Sequence, residues 1–247
     1  MMADLQLAPA LLWAKYGSTH RWSVVVAKTQ SKTAALSFPD YTKAERVVDL
    51  AVHLIGVPTG VVASVWLVSQ ALLRGGFAFH ISIIIYATGL IGMLAASAAY
   101  QLCPHGLFKD RLRRLDRTMI FVMIAGTYTP ISVDILAGQG GVILCGIQWL
   151  LAVVGIFVTL KFPRRFERIM LVLYMVMGWM LLVLIHYCFA LLRTDVLILI
   201  FAGGIAYTLG AALHTHSRLK FHNPIWHFLI LIAASCQYLA IYFQLFK

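Results

Sequence analysis

Eight polar side chains occupy positions where a strongly apolar chain has little structural reason to keep them. Glu45, Asp49 and His53 recur every fourth residue; so do Ser97 and Gln101, and Asn223 and His227, while Asp116 stands alone. Four-residue spacing puts the members of each set on one face of a helix. Carboxylates, imidazoles and hydroxyls are the groups that transfer protons and hold metal ions. An ionisable side chain near the centre of a bilayer costs about 2.5–3.5 kcal/mol, so each one inside an apolar span is a site candidate by default.

The elements that must position these groups are long apolar runs. Seven of them fill the chain: Val47–Leu73, Phe77–Leu102, Thr118–Ala137, Val142–Leu160, Ile169–Leu192, Val196–Leu213 and Pro224–Phe246. Each reaches the roughly 18–20 residues that a helix needs to cross ~30 Å of hydrocarbon. The runs are apolar all round, without the alternation of a membrane barrel strand, so helices are expected. Hydrophobic residues make up 61% of the chain and charged ones 12%, against roughly a quarter charged in a soluble domain. The expected fold is an all-α membrane protein, a seven-helix transmembrane bundle over residues 43–247, preceded by a flexible cytoplasmic tail over residues 1–42.

A net charge of +11 raises the question of a nucleic-acid partner, and the placement of the basic residues answers it. Of the twenty Lys and Arg residues, seventeen fall in alternate connections: six up to Arg46, five in Lys109–Arg117, four in Lys161–Arg168, then Arg218 and Lys220. Only Arg74, Arg193 and Lys247 fall on the opposite side. This asymmetry predicts a cytoplasmic N-terminus, an external C-terminus and an odd number of spans in the cell membrane, plasma or inner. The charge is therefore read as topology and contact with anionic lipid heads, with membrane lipids as partners and no nucleic acid. The four cysteines form no disulfide framework and read as small packing residues. The short external connections make consecutive helices antiparallel neighbours.

Several motifs occur in a characteristic order: Glu45-x3-Asp49-x3-His53-x2-Gly56, Ser97-Ala-Ala-Tyr100-Gln101, Leu115-Asp116 followed by Ala125-Gly-Thr-Tyr-Thr-Pro130, Gly203-Gly-Ile-Ala-Tyr207-Thr-Leu-Gly210, and Ile225-Trp226-His227. Over about residues 43–247 the chain resembles the hemolysin III family, grouped with the progestin and adipoQ receptors (PAQR) and, more distantly, the alkaline ceramidases. The resemblance implies a seven-helix bundle with a cytoplasmic N-terminus. It also implies a zinc ion near the cytoplasmic side, held by a histidine late in the second span and two histidines at i and i+4 opening the seventh. A Ser one turn before the first ligand and an Asp opening the third span complete that site; here they are Ser97 and Asp116. The ligand positions map to Gln101, Asn223 and His227, so two of the three expected imidazoles are amides. One imidazole and two amides make a poor zinc site. His105 and His222 lie near the gaps as substitutes, although adjacent helical residues point about 100° apart.

Plain structural roles compete with these. Asn223-Pro224 reads as an N-cap followed by Pro at the first helical position. Ser97 and Gln101 can serve as interhelical hydrogen-bond glue, commonly worth ~0.6 kcal/mol. Asp116 stands among Arg113, Arg114 and Arg117, as a surface ion pair would. Asp49 and His53 can pair with each other, His214 and His216 read as solvated, and Thr127–Pro130 is expected to bend its helix. The reading placed first is a non-catalytic, metal-degenerate member acting in membrane-lipid homeostasis or sensing. Its rival is a zinc-dependent intramembrane hydrolase of a lipid amide or ester, with Ser97 and Asp116 orienting the attacking water. A cytolytic pore is a third reading, but no span carries the repeated polar stripe of a water-filled path.

Overall fold

A capping box opens the first helix. The Thr42 hydroxyl accepts from the Glu45 backbone N–H, and the Glu45 carboxylate accepts from the Thr42 N–H at 2.8 Å, satisfying two donors that a helix start leaves unpaired. The computed structural model describes residues 41–246 apart from 163, 217 and 218. Residues 1–40 of the expected tail therefore lie outside the described residues.

The elements are α1 (Lys43–Leu72), α2 (Phe77–Leu102), α3 (Leu107–Pro130), α4 (Gly141–Lys161), α5 (Glu167–Trp179), α6 (Ile185–Leu191), α7 (Thr194–Thr215) and α8 (His222–Phe246). A π-helical turn, Ile131–Ile135, extends α3, and a 3-10 segment, Met180–Leu184, joins α5 to α6. Among the described residues there is no strand, and seven helical segments are long and apolar enough to cross a membrane. The protein is an all-α, multi-pass membrane protein. Pro104–Asp110 clusters apart from Tyr41–Cys103 and Arg111–Lys247, and the account below concerns the latter.

Six of the seven expected spans agree with the helices to within four residues at each end. The third departs, since α3 begins at Leu107 instead of Thr118. Hydropathy marks only the stretch that meets hydrocarbon, whereas the basic residues before it continue the same helix. Thr127–Pro130 does end regular geometry. Pro130 has no N–H to donate, Thr127 and Thr129 hydroxyls donate to the Met123 and Ala125 carbonyls at 2.8 Å, and the backbone shifts to the wider turn.

The fifth span breaks where sequence gave no signal. The Tyr128 hydroxyl donates to the Gly178 carbonyl at 2.8 Å and accepts from the Leu181 N–H at 2.9 Å, while Gln148 Nε2 donates to the Met177 carbonyl at 2.7 Å. Side chains of α3 and α4 thus satisfy backbone groups that the 3-10 segment frees, which hydrocarbon could not do. Two apolar clusters hold the bundle. One joins residues of α1, α2, α3, α6, α7 and α8 around Tyr86, Leu90 and Ile241; the other packs Phe121 and Ala125 of α3 against Ala152, Tyr174 and Met177. Large apolar side chains elsewhere, such as Val62, Ile143 and Val183, point outward, as lipid-facing residues do.

Candidate functional site

Four helices bring the polar residues to one level. Asp49 and His53 lie about two and three turns into α1, Ser97 near the end of α2, Asp116 on α3 and His227 in the second turn of α8. Gly56 and Gly60 follow on the same α1 face; a Cβ at Gly60 would stand 2.3 Å from Leu94, so the small residues let α1 approach α2. Asp49, His53 and His227 are all more than nine-tenths buried.

The His227 Nδ1–H donates to Asp49 Oδ1 at 2.5 Å, and the His53 Nδ1–H donates to the Asp49 backbone carbonyl at 2.7 Å. Asp49 Oδ2 also lies 3.9 Å from His53 Nδ1. A carbonyl only accepts, so neutral His53 carries its proton on Nδ1 and keeps a lone pair on Nε2. The Asp49 carboxylate fixes the same tautomer in His227. Both free Nε2 atoms face the Ser97 hydroxyl, at 3.2 Å from His53 and 3.5 Å from His227. The rings meet edge to face with centroids 4.7 Å apart. Ser97 thus has two imidazole acceptors and one proton to give.

A cavity of about 40 Å³ opens beside these groups, lined among others by His53, Ser97, Asp116, Trp226 and His227. It exceeds the ~10–15 Å³ a water needs and is polar enough to keep one. The groups acting most strongly on the Asp116 carboxylate are His227, Arg117, Ser97 and Asp49. The expected surface ion pair forms elsewhere, for Arg113 and Arg117 both bind Glu167. Just outside α1, burial, and then nearby Tyr100, Asp49 and Glu45, raise the Tyr41 pKa, so its phenol stays a donor.

The other expected positions are placed differently. Glu45 does not line the cavity; besides the capping box, its Oε1 accepts from the Phe221 N–H at 2.9 Å and tethers the entry of α8. Phe221 there has a left-handed φ of 61°, rare for a residue with a Cβ, and that hydrogen bond holds it. Helix α8 begins at His222, so Asn223 sits in its first turn rather than at the N-cap, buried, with Nδ2 lacking a hydrogen-bond partner among the described residues. Gln101 is half-buried one turn beyond Ser97. His222 turns away: its Nδ1 bonds the Leu219 carbonyl and its ring lies against Tyr41 and His214. His105 is exposed in the separate segment Pro104–Asp110. His214, expected to be solvated, packs on the Trp226 ring at 5.4 Å.

A metal ion can be tested against these donors. Asp49, His53 and His227 each offer a ligand atom, all within 4.8 Å of one another. Imidazole and carboxylate are donors that zinc accepts, and imidazoles oriented through Nδ1 by a carboxylate or a carbonyl, as Asp49 orients these two, are typical of occupied sites. The residues present therefore fit a divalent cation, with His53 of α1 in place of an imidazole at 101 or 223. Sequence reasoning had assigned His53 to the pocket but not to ligation; its four-residue spacing from Asp49 was the available signal.

A larger cavity of about 110 Å³ adjoins the polar one, sharing Met93, Ile120, Trp226 and Ile230 with it and lined chiefly by apolar side chains of α3, α5, α6 and α7. Seven membrane helices enclosing a buried carboxylate, hydroxyl and imidazole cluster beside an apolar cavity define a class of intramembrane site proteins. The haemolysin-III-related family profile matches residues 41–238. Over 207 residues the chain is 30% identical to the Hemolysin-3 homolog of Bacillus subtilis (strain 168), covering 84% of this chain and 97% of that protein. It is 29% identical over 199 residues to Hemolysin-3 of Bacillus cereus, covering 81% and 91%. The chain belongs to the haemolysin III family. No solved structure matches it.

Proposed function

We propose that the protein is a membrane-embedded hydrolase of a lipid ester or amide, with Ser97, His53, His227, Asp49 and Asp116 as its reactive centre. The observation that carries this reading is the convergence of two Nε2 lone pairs on the Ser97 hydroxyl inside a water-sized cavity. A divalent cation held by His53 and His227 would supply Lewis-acid polarisation of the substrate carbonyl. The chain's own groups do the rest. Asp49 holds the His227 ring and tautomer, and the Asp49 carbonyl holds that of His53. With both Nε2 lone pairs given to the cation, Ser97 donates a hydrogen bond to a substrate oxygen, and Asp116 accepts a proton from water during attack and returns it to the leaving group. The adjoining apolar cavity suits an acyl chain, whose carbonyl would then lie at the polar level.

Full-length protein reconstituted in nanodiscs and offered a panel of lipid esters and amides should release fatty acid. Ser97→Ala, with its fold retained, should lower the rate at least ~100-fold, the low end of what a positioned proton-transfer group contributes. No release by the unaltered protein across the panel would sink the proposal. A second reading, a non-catalytic lipid sensor, draws on the amides at Gln101 and Asn223; it predicts lipid binding without release. The names of the relatives refer to haemolysis, and a cytolytic role would appear as dye leakage from vesicles.

A further inference from the structure

Three helices give the larger cavity one common depth. On α3 its lining runs from Ile120, shared with the polar cavity, to Ile131, and on α8 from Trp226, also shared, to Gln237. Helix α7 runs the other way, with Gly210 facing Trp226 and Gly203 facing Gln237, and it lines the same depth from Thr208 to Leu197. Each stretch covers eleven residue steps, so the cavity reaches about 16 Å from the polar level. At that end Ile131, Cys188 and Leu197 are each more than nine-tenths buried, and they share one apolar cluster with Leu136, Leu192 and Val196. The cavity therefore ends on a floor of packed side chains.

Polar side chains in the wall bond within the protein. The Thr127, Tyr128 and Thr208 hydroxyls donate to the Met123, Gly178 and Gly204 carbonyls, each at 2.8 Å, while Trp179 Nε1 donates to Thr208 Oγ1 at 3.0 Å and Gln237 Nε2 to the Ile200 carbonyl at 3.2 Å. With those donors engaged, a headgroup drawn in would lose its water without replacement. A hydrocarbon chain instead makes the dispersion contacts that an empty cavity forfeits. One leaflet of a bilayer holds about 15 Å of hydrocarbon, so the depth matches a lipid chain lying nearly straight. An extended chain advances about 1.25 Å per carbon, from C–C lengths and angles like those of the backbone. A longer chain must bend or displace the floor, and a shorter one leaves a void above it; close packing resists both.

We propose that Ile131, Cys188 and Leu197 measure the acyl chain, and, resting on the hydrolase reading, that the substrate is a lipid ester or amide whose chain has about twelve to fourteen carbons. The probes are the even saturated fatty acids from octanoic to eicosanoic acid. Each is added to full-length protein in nanodiscs while thermal unfolding is followed, which a ligand of the folded state alone delays. Partition of an acid into the bilayer is common to every variant, so differences between variants report the cavity. Stabilisation of the unaltered protein should peak at dodecanoic and tetradecanoic acids, with octadecanoic acid bound at least ~10-fold more weakly, the low end of what a misfitted methylene does in an apolar pocket. Cys188→Phe, which raises the floor, should move the peak to decanoic acid. Leu197→Ala, which lowers it, should move the peak to hexadecanoic acid. Val183→Phe, at an outward-facing residue away from the cavity lining, should leave it in place. Leu197→Ala only removes atoms, so it decides the matter even where the added ring prevents folding. A peak that stays put in Leu197→Ala, an equal shift in Val183→Phe, or stabilisation that shows no maximum with length overturns the proposal. Binding is read without turnover, so chains held with this length preference but no ester or amide cut would fault the hydrolase reading alone.

Discussion

At the residue scale the site rests on Asp49, which reaches both imidazoles at once. Its carboxylate holds His227 at 2.5 Å while its backbone carbonyl holds His53 at 2.7 Å. Asp49→Asn keeps the shape but weakens the acceptor and allows the wrong tautomer. Zinc titrated calorimetrically into purified protein should therefore bind about 10–100-fold more weakly in this variant, the usual effect of losing an orienting partner. Unchanged affinity would mean that Asp49 does not orient a ligand. Much of this site was legible in the sequence, because buried carboxylates and imidazoles in apolar spans are expensive and their four-residue spacing fixes a face. The ligand set was not. Family resemblance pointed to positions 101 and 223, and only the packing of α1 against α2 and α8 reveals that His53 reaches the same point. Likewise Glu45 shares the spacing of Asp49 and His53, yet it sits one turn nearer the helix start, where the unpaired N–H groups of the first turn and of Phe221 claim it.

At the scale of elements, close helix approach depends on glycines whose absent side chains neighbours fill. A Cβ on Gly155 of α4 would stand 2.2 Å from the fully buried Phe121 ring of α3. Gly155→Ala should cost about 1–3 kcal/mol, as overpacking does, and lower the melting temperature by several degrees in detergent. An unaltered melting curve would show that Phe121 can move aside. Gly89 and Gly126 form a milder reciprocal contact, each facing backbone atoms of the partner helix at 3.4 Å. Helix existence and length were readable from hydropathy, since hydrocarbon requires both. The break at Met180–Leu184 was not, because its cause lies in Tyr128 and Gln148 on other helices, and a run such as Met-Leu-Leu-Val-Leu carries no local breaker.

At the scale of the whole molecule, the seventeen-to-three division of basic residues predicts that the polar site opens towards the cytoplasm. Reporter fusions after Lys109 and Lys161 should report cytoplasm, and those after Gly138 and Lys247 the outside; an external signal at Lys109 would reverse the bundle. Such an orientation would put Arg113 and Arg117, paired with Glu167, on the side of the anionic heads of the inner leaflet. The central claim is that the reactive centre is built on α1 and α8, through His53 and His227, and not on the amide at position 101. The most direct measurement compares lipid hydrolysis by reconstituted His53→Ala and Gln101→Ala proteins of equal folded content. The account predicts that His53→Ala loses nearly all turnover while Gln101→Ala stays within a few-fold of the unaltered protein; full turnover in His53→Ala, or loss confined to Gln101→Ala, would contradict it.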